Sequence, residues 1–167
     1  MGYTHYFTQK RSFTDSEWHN IRQAADQILR PAKDVIDQRK GSDQKLWINK
    51  DSIRFNGIGP DDDHETFYLP KQKPSFDWVR REGKWVKQPL LEDKFHFCKT
   101  ARKPYDKYVT ALLIVIHNFA NGALDIASDG FYEEWIPGKE FASNCCFKGE
   151  GSDYLAIPIK ERRKERA

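Results

Sequence analysis

From the N-terminus onward, apolar and polar residues first alternate and then recur at helical spacing. Residues 3–9, YTHYFTQ, are aromatic and β-branched and predict a first strand. Phe13-Thr14-Asp15-Ser16-Glu17-Trp18 follows, with Thr14 and Glu17 at capping-box spacing and Phe13 and Trp18 flanking them as a hydrophobic staple. A helix is predicted to start here. Trp18, Ile21, Ala25, Ile28 and Leu29 lie three and four residues apart and form one apolar stripe. Pro31 ends or kinks the helix near Arg30, with room for a further turn through Val35 and Ile36.

Short extended pieces at 46–48, 53–57, 64–69 and 95–100 then predict a run of strands. The stretch 71–93 carries turn signals and two tryptophans, which fits either a hairpin or a long ordered loop. Pro104 opens a second helix with Tyr105, Tyr108, Val109, Leu112, Leu113, Ile116 and Phe119 on one side, and Asn121-Gly122 stops it. LDIAS at 124–128 is the next strand. A short FYEEW segment, a Gly-rich stretch holding Cys145 and Cys146, an apolar run YLAIPI and the tail KERRKERA complete the chain. The order strand, helix, strands, helix, strand predicts an α+β fold of the split βαβ, ferredoxin-like type. One domain over 1–160 is expected to carry an antiparallel sheet with two helices on one face, followed by a charged tail at 161–167.

Composition narrows the setting. The chain has 167 residues, 38% hydrophobic and 14% aromatic, enough for one real core. Charged residues reach 32%, but 28 Lys+Arg against 25 Asp+Glu leave +3, so any attraction for anions has to be local. Mean hydropathy is −0.82, and no apolar run long enough to span a bilayer and no signal-like N-terminus is present, so a soluble, cytosolic protein is expected, with no membrane partner. Three cysteines, Cys98, Cys145 and Cys146, form no CxxC pair and are expected to be reduced thiols.

Side chains alternate across a strand. With Ile53, Phe55, Phe67, Leu69, Phe95, Phe97, Leu124 and Ile126 facing the helices, the opposite face is expected to hold Arg54, Asn56, His64, Thr66, Tyr68, His96, Cys98, Thr100, Asp125 and Asp129. Just beyond that face, Lys99, Thr100, Arg102 and Lys103 precede a helix N-terminus, whose free N–H groups and dipole favour an anion. Lysine, arginine and a hydroxyl together suit a phosphate held without a metal. The expected ligand is therefore small, anionic and nucleotide-like. Its predicted contacts are Lys99, Thr100, Arg102 and Lys103 for the phosphate and Arg54, Asn56, His64, Thr66, Tyr68, His96 and Asp129 for the rest. A solvated sheet face and an exposed basic turn would look the same in sequence.

MGYTHYF at the start, HETF at 64–67, FCKTARKPYD at 97–106 and SDG at 128–130 resemble a group of small bacteriophage and prophage proteins. The likeness covers most of the chain. It implies an accessory protein that binds or neutralises a host component, such as a nucleotide signal of a defence system, and it assigns no catalytic role to any residue.

Other classes stay open. His64-Glu65-Thr66 fits one His-x-Thr element of a phosphoesterase, but that chemistry needs two. His64 or His96 with Asp129 would be an acid–base pair, and Cys98 beside Lys99 a nucleophile of lowered pKa. A metal would need His5, His64, His96, Asp125 and Asp129 to converge across strands without any HExxH-type spacing, so none is expected. Walker A and GxGxxG patterns are absent, and no cofactor is expected. A single-stranded nucleic-acid module is the remaining class, with Tyr68 and Tyr6 or Tyr3 stacking on bases and Lys99, Arg102, Lys103 and the basic tail meeting phosphates. Association into a homo-oligomer is compatible with all of these.

Overall fold

The computed structural model describes residues 2–148 and 154–161. It is an α+β protein of three helices and three antiparallel sheets, in the order β1 (Thr4–Gln9), α1 (Asp15–Leu29), β2 (Trp47–Ile48), β3 (Ser52–Phe55), β4 (Phe67–Pro70), β5 (Phe76–Arg81), β6 (Lys84–Pro89), β7 (Lys94–Lys99), α2 (Asp106–Phe119), β8 (Leu124–Ser128) and α3 (Tyr132–Phe147). The strands pair as β7-β1-β8, β2-β3-β4 and the separate hairpin β5-β6. The single sheet expected from sequence is thus divided in three. The basic run of the expected tail lies, from 162 on, outside the described residues.

The capping box at the start of α1 forms as expected. Glu17 N–H donates to Thr14 Oγ1 at 3.2 Å, and Thr14 N–H donates to Glu17 Oε1 at 2.9 Å. The Phe13 and Trp18 rings pack at 5.4 Å to complete the staple. Such a cap is worth about 1 kcal/mol. Past Arg30 the chain makes one more turn on the Ala32 carbonyl, and Ile36 then bridges Gly57.

Helix α2 differs from the expected amphipathic helix, because every residue from Tyr108 to Ile116 is buried. Helix α3 supplies the cover that a helix apolar all round requires, where a short segment and a Gly-rich stretch were expected. Gly138 permits the approach of α3 to α2: a Cβ there would stand 2.3 Å from Thr110 Oγ1. Cys145 and Cys146 lie in the last turn of α3.

The core is a cluster of buried side chains from α1, α2, α3 and the inward faces of the two larger sheets. Phe7 stacks on Phe67 at 5.2 Å, and Phe67 packs on Phe55 at 5.0 Å, joining β7-β1-β8 to β2-β3-β4 across that core.

The register corrects the expected facing of β7. Phe7 pairs with His96 and His5 with Cys98, and directly opposed residues of an antiparallel pair share a face. Phe7 is fully buried, so His96 and Cys98 point inward and Phe95 and Phe97 outward, 53% and 54% exposed. The expectation placed both pairs the other way round. It holds for β3, β4 and β8, where Ile53, Phe55, Phe67, Leu69 and Leu124 are buried and Ile126 packs against the core.

Between β4 and β7 the chain forms a hairpin, one of the two options open in sequence. Glu82 and Gly83 have φ of 50° and 77°, two consecutive left-handed residues, as a two-residue type I′ turn requires. Every residue of β6 is exposed.

Candidate functional site

The segments 2–7, 64–67, 97–106 and 128–130 meet at one end of sheet β7-β1-β8. His5 of β1 is fully buried there between two oxygens. Its Nδ1 lies 2.8 Å from Ser128 Oγ at the end of β8, and its Nε2 lies 2.6 Å from Asp106 Oδ1 at the start of α2. Ser128 Oγ also accepts from Gly130 N–H at 2.9 Å and from Trp135 Nε1–H at 3.3 Å. With both lone pairs filled, its own proton goes to His5 Nδ1, which assigns the imidazole proton to Nε2 and makes it a donor to Asp106. Thr100, also fully buried, donates to the same Asp106 oxygen at 2.5 Å. Glu65 closes the end of β7, its carboxylate accepting from Lys99 N–H at 2.7 Å and its carbonyl from Tyr105 Oη at 2.6 Å.

The cationic loop is therefore already occupied by partners from within the chain. Thr100 faces the buried chain of hydrogen bonds and not an open phosphate site, contrary to its expected outward placement. Arg102 donates to Glu134 Oε1 at 3.1 Å and lies 4.1 Å from the Tyr3 ring centre. Lys103 Nζ donates to the Asp61 carbonyl at 2.6 Å. Ala101 and Arg102 have φ of 51° and 56°, a left-handed pair without glycine, so the loop stores backbone strain. A cavity of about 340 Å³ opens beside it, lined by cationic Arg102, Lys103 and Lys107 and by acidic Asp106 and Glu134.

The remaining predicted contacts are dispersed. Arg54, Asn56 and Thr66 line a different cavity of about 240 Å³, where Arg54 sits 5.0 Å from the Trp47 ring centre. Asn56 is committed to the loop holding His64, donating to the His64 carbonyl at 2.8 Å and accepting from His64 N–H at 3.2 Å. His64 itself is exposed. Asp129 accepts from Thr4 N–H at 3.0 Å and Tyr6 Oη–H at 3.1 Å. His96 stands in the core against Phe7, its Nε2 3.1 Å from Gln9 Oε1. The Gln9 amide nitrogen donates to the Pro70 carbonyl, so the His96 proton is on Nε2. Burial pulls the His96 pKa down to about 4, and nearby Lys94 adds to the effect. Neither His64 nor His96 faces Asp129 as an acid–base pair.

Cys98 is also corrected. Its thiol is buried and donates to the Glu65 carbonyl at 3.4 Å, and burial pushes its pKa up to about 12, the reverse of an activated nucleophile. Among the described residues no group of three or more His, Cys, Asp or Glu is placed to hold a metal ion, and no helix is long and apolar enough to cross a membrane. A larger cavity of about 600 Å³, lined by Lys33, Ile36 to Arg39 and Ile58 to Pro60, contains none of the predicted contacts.

What sequence reasoning missed is the outward face of β7-β1-β8. The turned-over β7 puts Phe95 and Phe97 there, opposite Thr8 and Tyr6 of β1. Phe95 stacks on Tyr6 at 5.9 Å and 21° and meets Phe97 at 5.8 Å, giving a continuous row of three rings. Lys99 is next on that face, and its amine forms no ion pair among the described residues. The sequence FHFCK offers a claim to the core on either parity, and only its register against the buried Phe7 decides which side turns outward. No family model, curated protein or solved structure matches the chain.

Proposed function

We propose that this chain binds single-stranded nucleic acid by stacking bases on the outward face of β7-β1-β8. The observation that carries this reading is the row formed by half-buried Tyr6 and solvent-exposed Phe95 and Phe97 on a sheet whose other face is the core. Large aromatic side chains left in water contribute little to stability, whereas base stacking on an aromatic ring is worth about 1–3 kcal/mol. Lys99 at the end of the row supplies a cation for the backbone phosphates, while Asp125 on the same face limits how many phosphates can lie across β8. The reading fits the finer form of the fold expected from sequence, in which β1, α1, β7, α2 and β8 act as a split βαβ unit with one open face.

A small nucleotide captured beside the cationic loop is the second reading, and one observation favours it. The cavity lined by Tyr3, Arg102, Lys103 and Lys107 lies where the four phage-like segments meet. This would suit an accessory protein that sequesters a host nucleotide signal, or one that hydrolyses it.

Titration of a fluorescent oligothymidylate and a panel of cyclic and linear nucleotides, each at two salt concentrations, separates the two. Stacking on the sheet predicts oligonucleotide binding that weakens with salt and falls about 5- to 150-fold in Phe97→Ala, a loss equal to one stacked base. Oligonucleotide affinity unchanged in both Phe95→Ala and Phe97→Ala removes the sheet face. Nucleotide binding lost in Lys107→Ala, with no oligonucleotide binding, would establish the cavity instead, and recovery of cleaved nucleotide would make the protein an enzyme.

A further inference from the structure

The β5-β6 hairpin has two faces of different composition. Phe76, Trp78 and Arg80 share one, together with the residues directly opposite them, Pro89, Lys87 and Trp85. Asp77, Val79, Arg81 and their partners Gln88, Val86 and Lys84 form the other. The second face is the one tied to the body, because Lys94 of β7 donates to Asp77 Oδ2 at 2.8 Å. Aromatic rings and cations therefore alternate on the face turned away from it. Trp78 and Trp85 are 56% and 66% exposed, more than any other tryptophan among the described residues.

Hairpin stability accounts for only part of this pattern, through the edge-on contact of Phe76 with Trp78 at 6.0 Å and the packing of Lys87 on Phe76. Two tryptophans stabilise a ribbon when they oppose each other, but here Trp78 faces Lys87 and Trp85 faces Arg80. Lys87 Nζ lies 3.9 Å from the Phe76 ring centre, and neither Arg80 nor Lys87 forms an ion pair among the described residues. Four Lys/Arg against two Asp/Glu lie between residues 76 and 89. A partner complementary to this face offers flat π-systems and negative charge in alternation. Single-stranded nucleic acid has that composition, one base and one phosphate per nucleotide.

We infer that the outward face of the hairpin is a second contact surface for single-stranded nucleic acid, with Trp78 and Trp85 stacking on bases and Arg80 and Lys87 meeting phosphates. The partner class is taken from the reading above, but the residues and strands are different. One oligonucleotide too short to leave the sheet face and one long enough to reach the hairpin distinguish the two surfaces.

The test uses the whole chain with oligothymidylates of about 6 and about 20 nucleotides, read by fluorescence anisotropy and by tryptophan emission. The double variant Trp78→Ala/Trp85→Ala is expected to bind the longer oligonucleotide about 10- to 100-fold more weakly and to lose most of the binding-induced tryptophan quenching. Its far-ultraviolet circular dichroism should match that of the unaltered protein, since both side chains are exposed. Arg80→Ala/Lys87→Ala is expected to reduce the salt dependence while retaining the quenching. Wild-type affinity for the longer oligonucleotide in the tryptophan variant overturns the inference. So does a wild-type protein that binds neither oligonucleotide, including one that is a dimer by light scattering and becomes monomeric in that variant, which would assign the face to a second copy of the chain. If Phe95→Ala/Phe97→Ala binds as wild type while the tryptophan variant does not, the hairpin surface stands and the sheet-face reading fails.

Discussion

Sheet β7-β1-β8 and hairpin β5-β6 are both antiparallel and both rich in aromatic residues, but only the sheet has an inside. Its inward face holds Phe7, His5, Gln9, His96 and Cys98, all buried, and the polar ones among them are hydrogen-bonded. The hairpin has no such face, and every residue of β6 is exposed. An aromatic side chain within the sheet core can be explained by packing alone. One on the hairpin, or on the outward side of the sheet, packs only on its surface neighbours and stays largely in water, so packing explains less of it. The location of an aromatic residue therefore separates side chains retained for stability from those available for contact, and stability measurements can test that separation.

The largest effect is expected at the buried end of the sheet. His5→Ala empties a fully buried site and leaves the partly exposed Asp106 and Ser128 without their shared partner, at a cost of about 3–5 kcal/mol in urea unfolding. A loss below about 1 kcal/mol would mean that water replaces the imidazole, and the sheet end would then resemble the hairpin rather than contrast with it.

A pH titration sharpens the same contrast. The His96 pKa is about 4 in the folded chain, below its ordinary value of 6.5 when unfolded. The unfolded chain therefore takes up a proton first, so stability is full above pH 6.5 and falls as pH drops towards 4. The loss is about 2–3 kcal/mol across that window. Measuring unfolding free energy from pH 7 to pH 4 in the unaltered protein and in His96→Gln isolates this contribution, and equal slopes would show that His96 is not the group responsible.

Much of this architecture was legible in the sequence, and the parts that were not have specific causes. Thr14 and Glu17 identified the start of α1 because a capping box is local. The parity of β3 and β4 was readable because Ile53, Phe55, Phe67 and Leu69 offer only one apolar side. On β7 both sides have a claim to the core, Phe95 and Phe97 on one and His96 and Cys98 on the other, and the pairing with Phe7 decides between them. That pairing joins residues nearly ninety positions apart. Helix α3 was hidden by Pro137 and Gly138, which usually break a helix. In the structure Gly138 is the contact point with Thr110, and the unbroken apolar run from Val109 to Ile116 was the available sign that α2 needed a third layer. The loop 99–103 was recognised as cationic, but its commitments to Glu134 and Asp61 come from distant segments, and the buried bond of Thr100 to nearby Asp106 depends on His5 of β1 packing beside them.

A smaller effect of opposite sign is expected in that loop. Ala101 has φ of 51°, a conformation that glycine adopts without a clash, and its backbone N–H is held by the Tyr3 carbonyl at 3.2 Å. Ala101→Gly should raise stability by about 0.5–1 kcal/mol, the relief of strain exceeding the entropy lost by a freer unfolded chain. A decrease would show that the methyl group contributes packing at the sheet end that outweighs the strain.

The smallest effect is expected where the rings are most exposed. Trp78→Ala/Trp85→Ala removes two large side chains, and in a core each such truncation would cost about 3–5 kcal/mol. On the hairpin the change in unfolding free energy should stay within about 0.5 kcal/mol, as for other exposed positions, because the rings already face water and leave no cavity. Replacing 76–89 by a short turn extends the same test. Ser75 and Leu90 are already joined by a backbone hydrogen bond of 2.9 Å, so the ends need not move. The shortened chain should unfold at nearly the same urea concentration as the full one. A drop comparable to that of His5→Ala would mean that the hairpin stabilises the body, and its tryptophans would then be explained by folding rather than by contact with a partner.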